Sequence, residues 1–412
     1  MSIESCVIYE KQPLLSVNEA QECIYAALTP LTQSELIPLK HAFGRTLAHT
    51  VYAPNNLPFA RNSAMDGYAF CSQEMSTNSP FTLTQIGVVF AGSPFNGQLN
   101  KGECVRIFTG GVIPDNADSV IMQEQVNAQD SSIHFPSDVQ FGKNIRQIGE
   151  DVSAGDPLCL AHKTLSAIDL GFLASAGIEN VNVIRKLNIA YFSTGDELIG
   201  LGEKLTKGKI YDSNRYSLHG LLQNPNYDVF DGGVIADNRD LLKQTLQQAA
   251  EKYDVVITTG GASVGEADYV KDVLTECGSV NFWKIAMKPG KPLAFGRIGH
   301  CYFFGLPGNP VAVTTTFDII LKPALRYLTS TYSKKPLLFS ACCTTPLNKS
   351  RGRQEFQRGI LTQRPDGVLE VATSGHQGSH VLSSASAANC YIILDVDVTH
   401  VASGDCVNVL LF

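Results

Sequence analysis

Between Lys186 and Leu328, strand-like apolar runs alternate with capped stretches of helical length, and this alternation restricts the fold more than any other feature of the chain. Leu187 to Ser193, Tyr227 to Val234, Asp254 to Thr259, Val280 to Met287, Pro292 to Phe295 and Cys301 to Gly305 read as strands, short apolar runs bounded by turn residues. Helices are expected from a cap at Ser213 or Asn214 through Leu222, and from a cap at Asp237 or Asn238 over Arg239 to Lys252. Two more are expected over Tyr269 to Cys277 and Val311 to Leu325. Such alternation implies a mostly parallel sheet with helices on both faces. Ligands of these sheets bind beyond the carboxyl ends of the strands.

The polar residues gather at those ends. Asp254 to Asp268 runs from a β-branched strand through Gly260-Gly261, Ser263 and Gly265 to Glu266 and Asp268 at a helix start. A strand, a glycine loop and a helix start form a cradle of N–H groups suited to phosphate, with acids placed for a phosphate-bound Mg²⁺. A tight turn of any α/β domain would read the same way. Two further strand ends carry Ser193-Thr194-Gly195-Asp196-Glu197 and Gly305 to Pro310. Lys284, Lys288 and Lys291 cluster beside them and favour an anion site over a solvated face. Glu197, Asp237 and Asp268 each follow a strand and could converge on one metal, although Asp237 also reads as a plain helix cap. Pro307 and Pro310 can shape their loop without touching a ligand.

The remainder of the chain is β-rich with few helices. Ser16 to Leu28 reads as a helix capped at Ser16 or Asn18, and Pro54 and Pro58 mark a boundary after it. From about Leu57 to Arg146 the pattern is short strands and turns, and Ala167 to Ala176 forms a short helix before Gly177. After Pro336, VLEVAT, CYIILDVD and CVNVLLF suggest a small all-β domain. The β-rich stretch holds its own polar cluster: a loop at Asn62 to Ala69 carrying Asp66, Thr109-Gly110-Gly111 after a strand, and Gly149-Glu150-Asp151. Nothing in spacing places these opposite the α/β loops.

At 412 residues the chain supports two or more domains, and a net charge of −7 argues against a broad nucleic-acid surface. Eleven scattered cysteines without a C-x-x-C indicate reduced thiols in a cytoplasmic setting and no zinc site. No apolar run is long enough to span a membrane, and the N-terminus lacks signal-peptide features.

Four motifs then stand in one order: NSAMDGYA at Asn62 to Ala69, TGGASVGEADY at Thr259 to Tyr269, MKPGKP at Met287 to Pro292 and LPGNPV at Leu306 to Val311. With STGDEL at Ser193 to Leu198 and IFTGGVIPDNADSVIMQE, they resemble the MoeA family of molybdopterin molybdenumtransferases, related to the E domains of gephyrin and plant Cnx proteins. Ala262 and Gly111 depart from the family's usual Val and frequent Ala, both small changes.

The resemblance implies a multidomain α/β plus β fold. It comprises an elongated linker domain (1–56 and 151–185), a β-rich domain (57–150), a three-layer α/β domain like the molybdopterin adenylyltransferases (186–328) and a C-terminal β-barrel (329–412). It implies Mg²⁺-dependent insertion of molybdate into adenylylated molybdopterin, releasing AMP and molybdenum cofactor. A homodimer would share each active site between chains, with a molybdopterin adenylyltransferase and apo-molybdoenzymes as further partners. The implied catalytic residues are Asp66, Thr109, Asp151, Asp268, Lys284 and Lys288. The substrate-binding set is Gly260, Gly261, Ser263, Pro307, Pro310, Arg358 and Ser379, and the metal ligands are Glu197, Asp237 and Asp268. Lys284, Lys288 and Arg358 are chemically suited to a tetrahedral dianion through charge-assisted hydrogen bonds. An adenylyltransferase would match only about Lys186 to Leu328, and a receptor-binding scaffold would need neither the acids nor the lysines.

Overall fold

The computed structural model describes residues 14–73, 75, 78–260, 269–330 and 336–412. Gly261, Ser263 and Asp268 of the expected site therefore lie outside the described residues.

The centre of the molecule is a six-stranded sheet in the order Tyr227–Ile235, Leu187–Thr194, Val255–Thr259, Cys301–Leu306, Pro292–Ile298, Ser279–Lys284. The first three pairings are parallel and the last two antiparallel. The antiparallel edge follows from chain length: only Gly299 and His300 separate its two inner strands, too few for a crossover. Apolar residues fill both faces, as expected for a sheet covered on both sides. Ile189, Tyr191, Ile257 and Phe304 face one helical layer, including Leu218 and Phe317. Ala190, Phe192, Val256 and Phe303 face the other, with Leu242, Leu246 and Val273.

Local chemistry explains the helix limits. Asn238 caps Arg239–Lys252 by accepting from Leu241 N, leaving Asp237 free of that task. The cap of Ser213–Leu221 is Asp212, which accepts from Arg215 N, one residue before the expected Ser213 or Asn214. The single helix expected over Val311 to Leu325 is three pieces: Pro310–Thr316, a π turn at Phe317–Leu321, and Lys322–Leu328. Pro323 has no N–H to return to the Ile319 carbonyl four residues back. The side-chain amide of Gln21 donates to that carbonyl at 2.7 Å. Gln21 belongs to helix Val17–Ala27, which is closed by a capping box between Ser16 and Glu19. Val17, Ala20 and Ile24 of that helix pack in the α/β core.

Two chain segments build the linker core: Leu39, Leu47 and Ala53 from the first, and Val152, Leu158, Leu173 and Val183 from the second. Ser34–Pro38 pairs with Asn180–Ile184, and Val51–Tyr52 with Pro157–Cys159. Where linker meets sheet, Arg185 binds Asp254 through two bonds of 2.7 and 2.8 Å, and Asn188 N adds a third at 2.8 Å. Burial opposes ionisation of Asp254, but Arg185 and the Asn188 amide outweigh it and hold its pKa below the usual carboxylate range. A depressed pKa contributes stability above the unfolded-state value, about 4, which is lost as pH falls through the folded-state value. Asp254→Asn is therefore expected to cost about 2 kcal/mol near pH 7 and progressively less on acidification. Thermal midpoints measured from pH 7 to pH 3 check this; a constant offset would rule out the ion pair as the source.

The β-rich unit is a second six-stranded sheet, ordered Ser119–Met122, Gly67–Phe70, Glu103–Ile107, Phe81–Val89, Ser132–Phe135, Asn127–Gln129. The expected loop at Asn62 to Ala69 is corrected here: its end is an inner strand whose four residues are all buried. Tyr68 and Phe70 enter one core, and Ala69 the other. Gly67 permits the close approach, since a Cβ there would lie 1.8 Å from Ile121 O. At the C-terminus, Gln354–Gln363, Leu369–Thr373, Phe339–Cys343, Cys406–Leu411 and Cys390–Leu394 close into a five-stranded barrel. Met287–Lys288 from the α/β unit adds to its rim beside Gln354 and Glu355. All cysteines among the described residues are free thiols, and no described helix is long and apolar enough to cross a membrane.

Candidate functional site

A cavity of about 670 Å³ opens where the α/β strands end against the barrel. Its wall comes from five places separated in sequence: Gly260, Lys288 to Pro292, Pro307 to Asn309 with Ala312, Arg353, and His376 to Ser379. Gly260 and Pro307 directly follow the strands Val255–Thr259 and Cys301–Leu306, the position expected for a ligand in an open α/β sheet. Gly260 has φ +85°, and a Cβ there would lie 2.7 Å from both Thr194 O and Thr194 Oγ1. Only glycine lets the chain turn so close to the neighbouring strand.

The loop from Pro307 to Asn309 is fixed from both sides. Asn214 Nδ2 donates to Gly308 O at 2.8 Å, and Val311 N donates to Ser379 O at 3.1 Å. Pro307 thus lines the cavity, whereas Pro310 occupies the first helical position, outside the wall. Ser379 does line it.

The expected cations separate. Lys288 lines the cavity, and its Nζ lies 3.0 Å from Glu355 Oε1. Glu355 is buried and also accepts from Gln357 Nε2 at 3.0 Å. Lys284 is exposed and does not line the cavity. Arg358 is also absent from the wall. It is 1% exposed, and its guanidinium donates to His376 O at 2.8 Å, Gln377 O at 3.3 Å, Gly378 O at 3.2 Å and Ser384 Oγ at 3.0 Å. Burial lowers its pKa from the ordinary value. Arg358 holds the 376–378 loop from behind. The cavity-facing guanidinium is Arg353, which sequence reasoning did not select.

The acidic loops lie at neighbouring strand ends. Glu197 and Asp237 are both exposed, after Leu187–Thr194 and Tyr227–Ile235. Their loops are joined by reciprocal bonds: Asp237 N to Asp196 Oδ1 at 3.0 Å, and Asp196 N to Asp237 Oδ2 at 3.4 Å. The Glu197 carboxylate folds over Gly195, where a Cβ would lie 2.4 Å from Oε2. Among the described residues no three His, Cys, Asp or Glu side chains surround one metal position. Two carboxylates with hard oxygen donors nevertheless suit Mg²⁺, which uses few protein ligands and fills its shell with water and phosphate.

The β-rich cluster has its own geometry. Asp66 Oδ1 accepts from Thr109 N and Thr109 Oγ1, both at 2.8 Å. The Thr109 amide, then its hydroxyl, hold the Asp66 pKa below the usual range. Gly110 N and Gly111 O bond Ser63 at 2.9 Å each, fixing the Thr109 loop against the Asp66 loop. Asp151 is exposed, anchored by its N–H to Leu57 O at 3.0 Å. None of the three lines the cavity of its own chain.

Glu355, His376 and Gln377 were also missed. A glutamate inside the strand pattern QEFQRG is a usable signal, because a charge on a buried strand needs a partner. The placement of His376 and Gln377 had none beyond their neighbourhood to Ser379.

Comparisons with known proteins agree along the chain. Residues 15–177 match the MoeA N-terminal region (domain I and II), 190–327 a probable molybdopterin binding domain, and 340–412 the MoeA C-terminal region (domain IV). A molybdopterin molybdenumtransferase of Haemophilus influenzae is 41% identical over 96% of this chain and 98% of its own. One from Nostoc sp. is 32% identical over 97% and 94%. The crystal structure of a molybdopterin biosynthesis moeA protein from Pyrococcus horikoshii OT3 matches with a TM-score of 0.83 at 28% identity, covering 97% of this chain and all of that one. The chain belongs to the MoeA family, the molybdopterin molybdenumtransferases.

Proposed function

We propose that this protein inserts molybdate into adenylylated molybdopterin, cleaving the phosphoanhydride and releasing AMP and molybdenum cofactor. The cavity carries the reading: it joins a glycine strand end, lysines and a guanidinium in one wall, a surface matched to oxyanions and phosphates. The chemistry needs reactants held together and negative charge offset more than it needs a covalent protein intermediate. Gly260 supplies close backbone approach. Lys288 and Lys291 supply positive charge, and Ser379 a hydroxyl. Glu197 and Asp237 would hold Mg²⁺, with Asp268 as the third acid; bound there, the ion would offset charge on the departing phosphate.

Asp66, Thr109 and Asp151 are proposed to act on the cavity of a second copy, in a homodimer that shares each site between chains. Their separation from the cavity of their own chain supports this. A molybdopterin adenylyltransferase would supply the substrate, apo-molybdoenzymes would receive the product, and the free thiols favour the cytoplasm.

The test follows AMP release from adenylylated molybdopterin with Mg²⁺ and molybdate. Release should depend on molybdate and reconstitute an apo-molybdoenzyme. Bound but uncleaved nucleotide would favour a scaffold, and consumption of ATP with free molybdopterin an adenylyltransferase. In the same assay Asp66→Ala should lower kcat at least about 100-fold while the oligomer stays folded. Full activity of that variant would remove Asp66 from the site.

A further inference from the structure

We propose that Cys342 and Cys406 form a thiol–disulfide site on the outer face of the C-terminal barrel, closing reversibly into a cross-strand disulfide when a low-molecular-weight disulfide supplies the oxidant. Strands Phe339–Cys343 and Cys406–Leu411 run antiparallel, and their register sets Cys342 directly opposite Cys406. Among the described residues no other strand pairing sets two cysteines opposite each other. Ala341, Cys343, Val407 and Val409 of these strands pack in the barrel core, whereas Cys342 is half-buried and Cys406 exposed. Directly opposed side chains share a face, so both thiols lie on the outer one. The neighbouring Cys343 is no competitor: it is buried on the inner face, and its Sγ donates to Thr345 O at 3.0 Å.

The backbone fixes the kind of pair. Cys343 N donates to Asp405 O and Gly404 N to Cys343 O, both at 2.8 Å, with Gly404 at φ +98°. The ladder bonds therefore fall on Cys343, and the next pair along, Cys342 with Cys406, is a non-hydrogen-bonded one. Cα atoms of such a pair lie about 4.5 Å apart, inside the range of about 4.4–6.8 Å that a disulfide spans. Cys342 Sγ lies 3.6 Å from Gly404 O, and side-chain rotation rather than strand movement brings it to Cys406. The exposed Cys406 thiolate attacks one sulfur of the small disulfide RSSR, forming a mixed disulfide and releasing RS⁻. The Cys342 thiolate then attacks the Cys406 sulfur and expels the second RS⁻. The two protons lost by the protein thiols pass to the two RS⁻ groups, so two thiols are oxidised and one RSSR is reduced to two RSH. The product ties Cys406–Leu411 to Phe339–Cys343 and stabilises mainly by restricting the unfolded chain. Neither cysteine lines the cavity, so the site is separate from the proposed transfer chemistry.

The full chain is incubated in glutathione buffers of rising oxidised fraction, remaining thiols are alkylated, and peptides are mapped by mass spectrometry. The expected product is a linked pair of peptides joining Cys342 to Cys406, lighter by the two hydrogens lost and without bound glutathione. The thermal midpoint should rise by several degrees on oxidation and return with dithiothreitol. Cys342→Ser should leave glutathione on Cys406, and Cys406→Ser should leave it on Cys342, with no such rise in either variant. Stable glutathione adducts on both cysteines of the parent would overturn the proposal. So would a link from either cysteine to a different one, or both thiols remaining open to alkylation in excess oxidised glutathione.

Discussion

An Arg358→Met protein should remain folded and lose about 100-fold or more in kcat/KM. The physical reason is the buried fan of bonds from its guanidinium to His376 O, Gln377 O, Gly378 O and Ser384 Oγ. Methionine fills much of the volume but donates nothing, leaving three carbonyls without a charged donor. Loss of hydrogen bonds from a buried charged group costs about 1.5–3 kcal/mol each in an unrelaxed structure. The loop can escape most of that cost by moving into water, and in moving it dismantles the wall that carries Ser379. Displacement of about 1 Å in a positioning element is enough for a 100-fold loss. The charge itself is not the cause, so Arg358→Lys should fall nearly as far, since one ammonium cannot span the same acceptors. Hydrogen exchange at residues 376–379 should rise in both variants. A lysine variant with near-parent activity would show that Arg358 acts as a charge at the ligand instead.

Gly260→Ala should be nearly as damaging and should also lower thermal stability. At φ +85° an alanine is strained, by about 1–2 kcal/mol. Its Cβ would also sit 2.7 Å from the Thr194 carbonyl oxygen, and a backbone atom in a central strand cannot turn aside. Either the Val255–Thr259 strand end shifts away from Leu187–Thr194, or the cavity floor tilts. A thermal midpoint lower by several degrees with activity below about 1% is expected. Gly308→Ala is the control: among the described residues its Cβ would meet only Gly260 Cα, at 3.8 Å, so the fold should be unaffected. Equal stability of the two variants would show that the contact with Thr194 does not constrain Gly260.

Much of the fold was legible because its causes are local. Asn238 and the Ser16 box act within a few residues, and continuous apolar runs identify strands covered on both faces. The errors have both local and distant causes. Asp212 displaced Ser213 as a cap because its carboxylate reaches Arg215 N. The expected single helix after Asn309 was divided around Pro323, whose missing N–H is answered by Gln21, 298 residues away in sequence. Gly67–Phe70 looked like loop because its polar and glycine neighbours hid a strand that is buried on both faces.

By itself the sequence determined the class of most segments, the strand ends where a ligand must lie, and motifs specific enough to name a family. Only the tertiary structure decided which side chains face the cavity. Arg353 and Arg358 stand five residues apart and carry the same charge, yet one fronts the cavity and the other braces a loop from behind. That choice depends on how the barrel closes and where Met287–Lys288 joins its rim, beside the buried Glu355 that takes the lysine. Periodicity reports which residues share a face of one element. It carries no information on which face meets another element more than 60 residues away, because that is set by packing between elements.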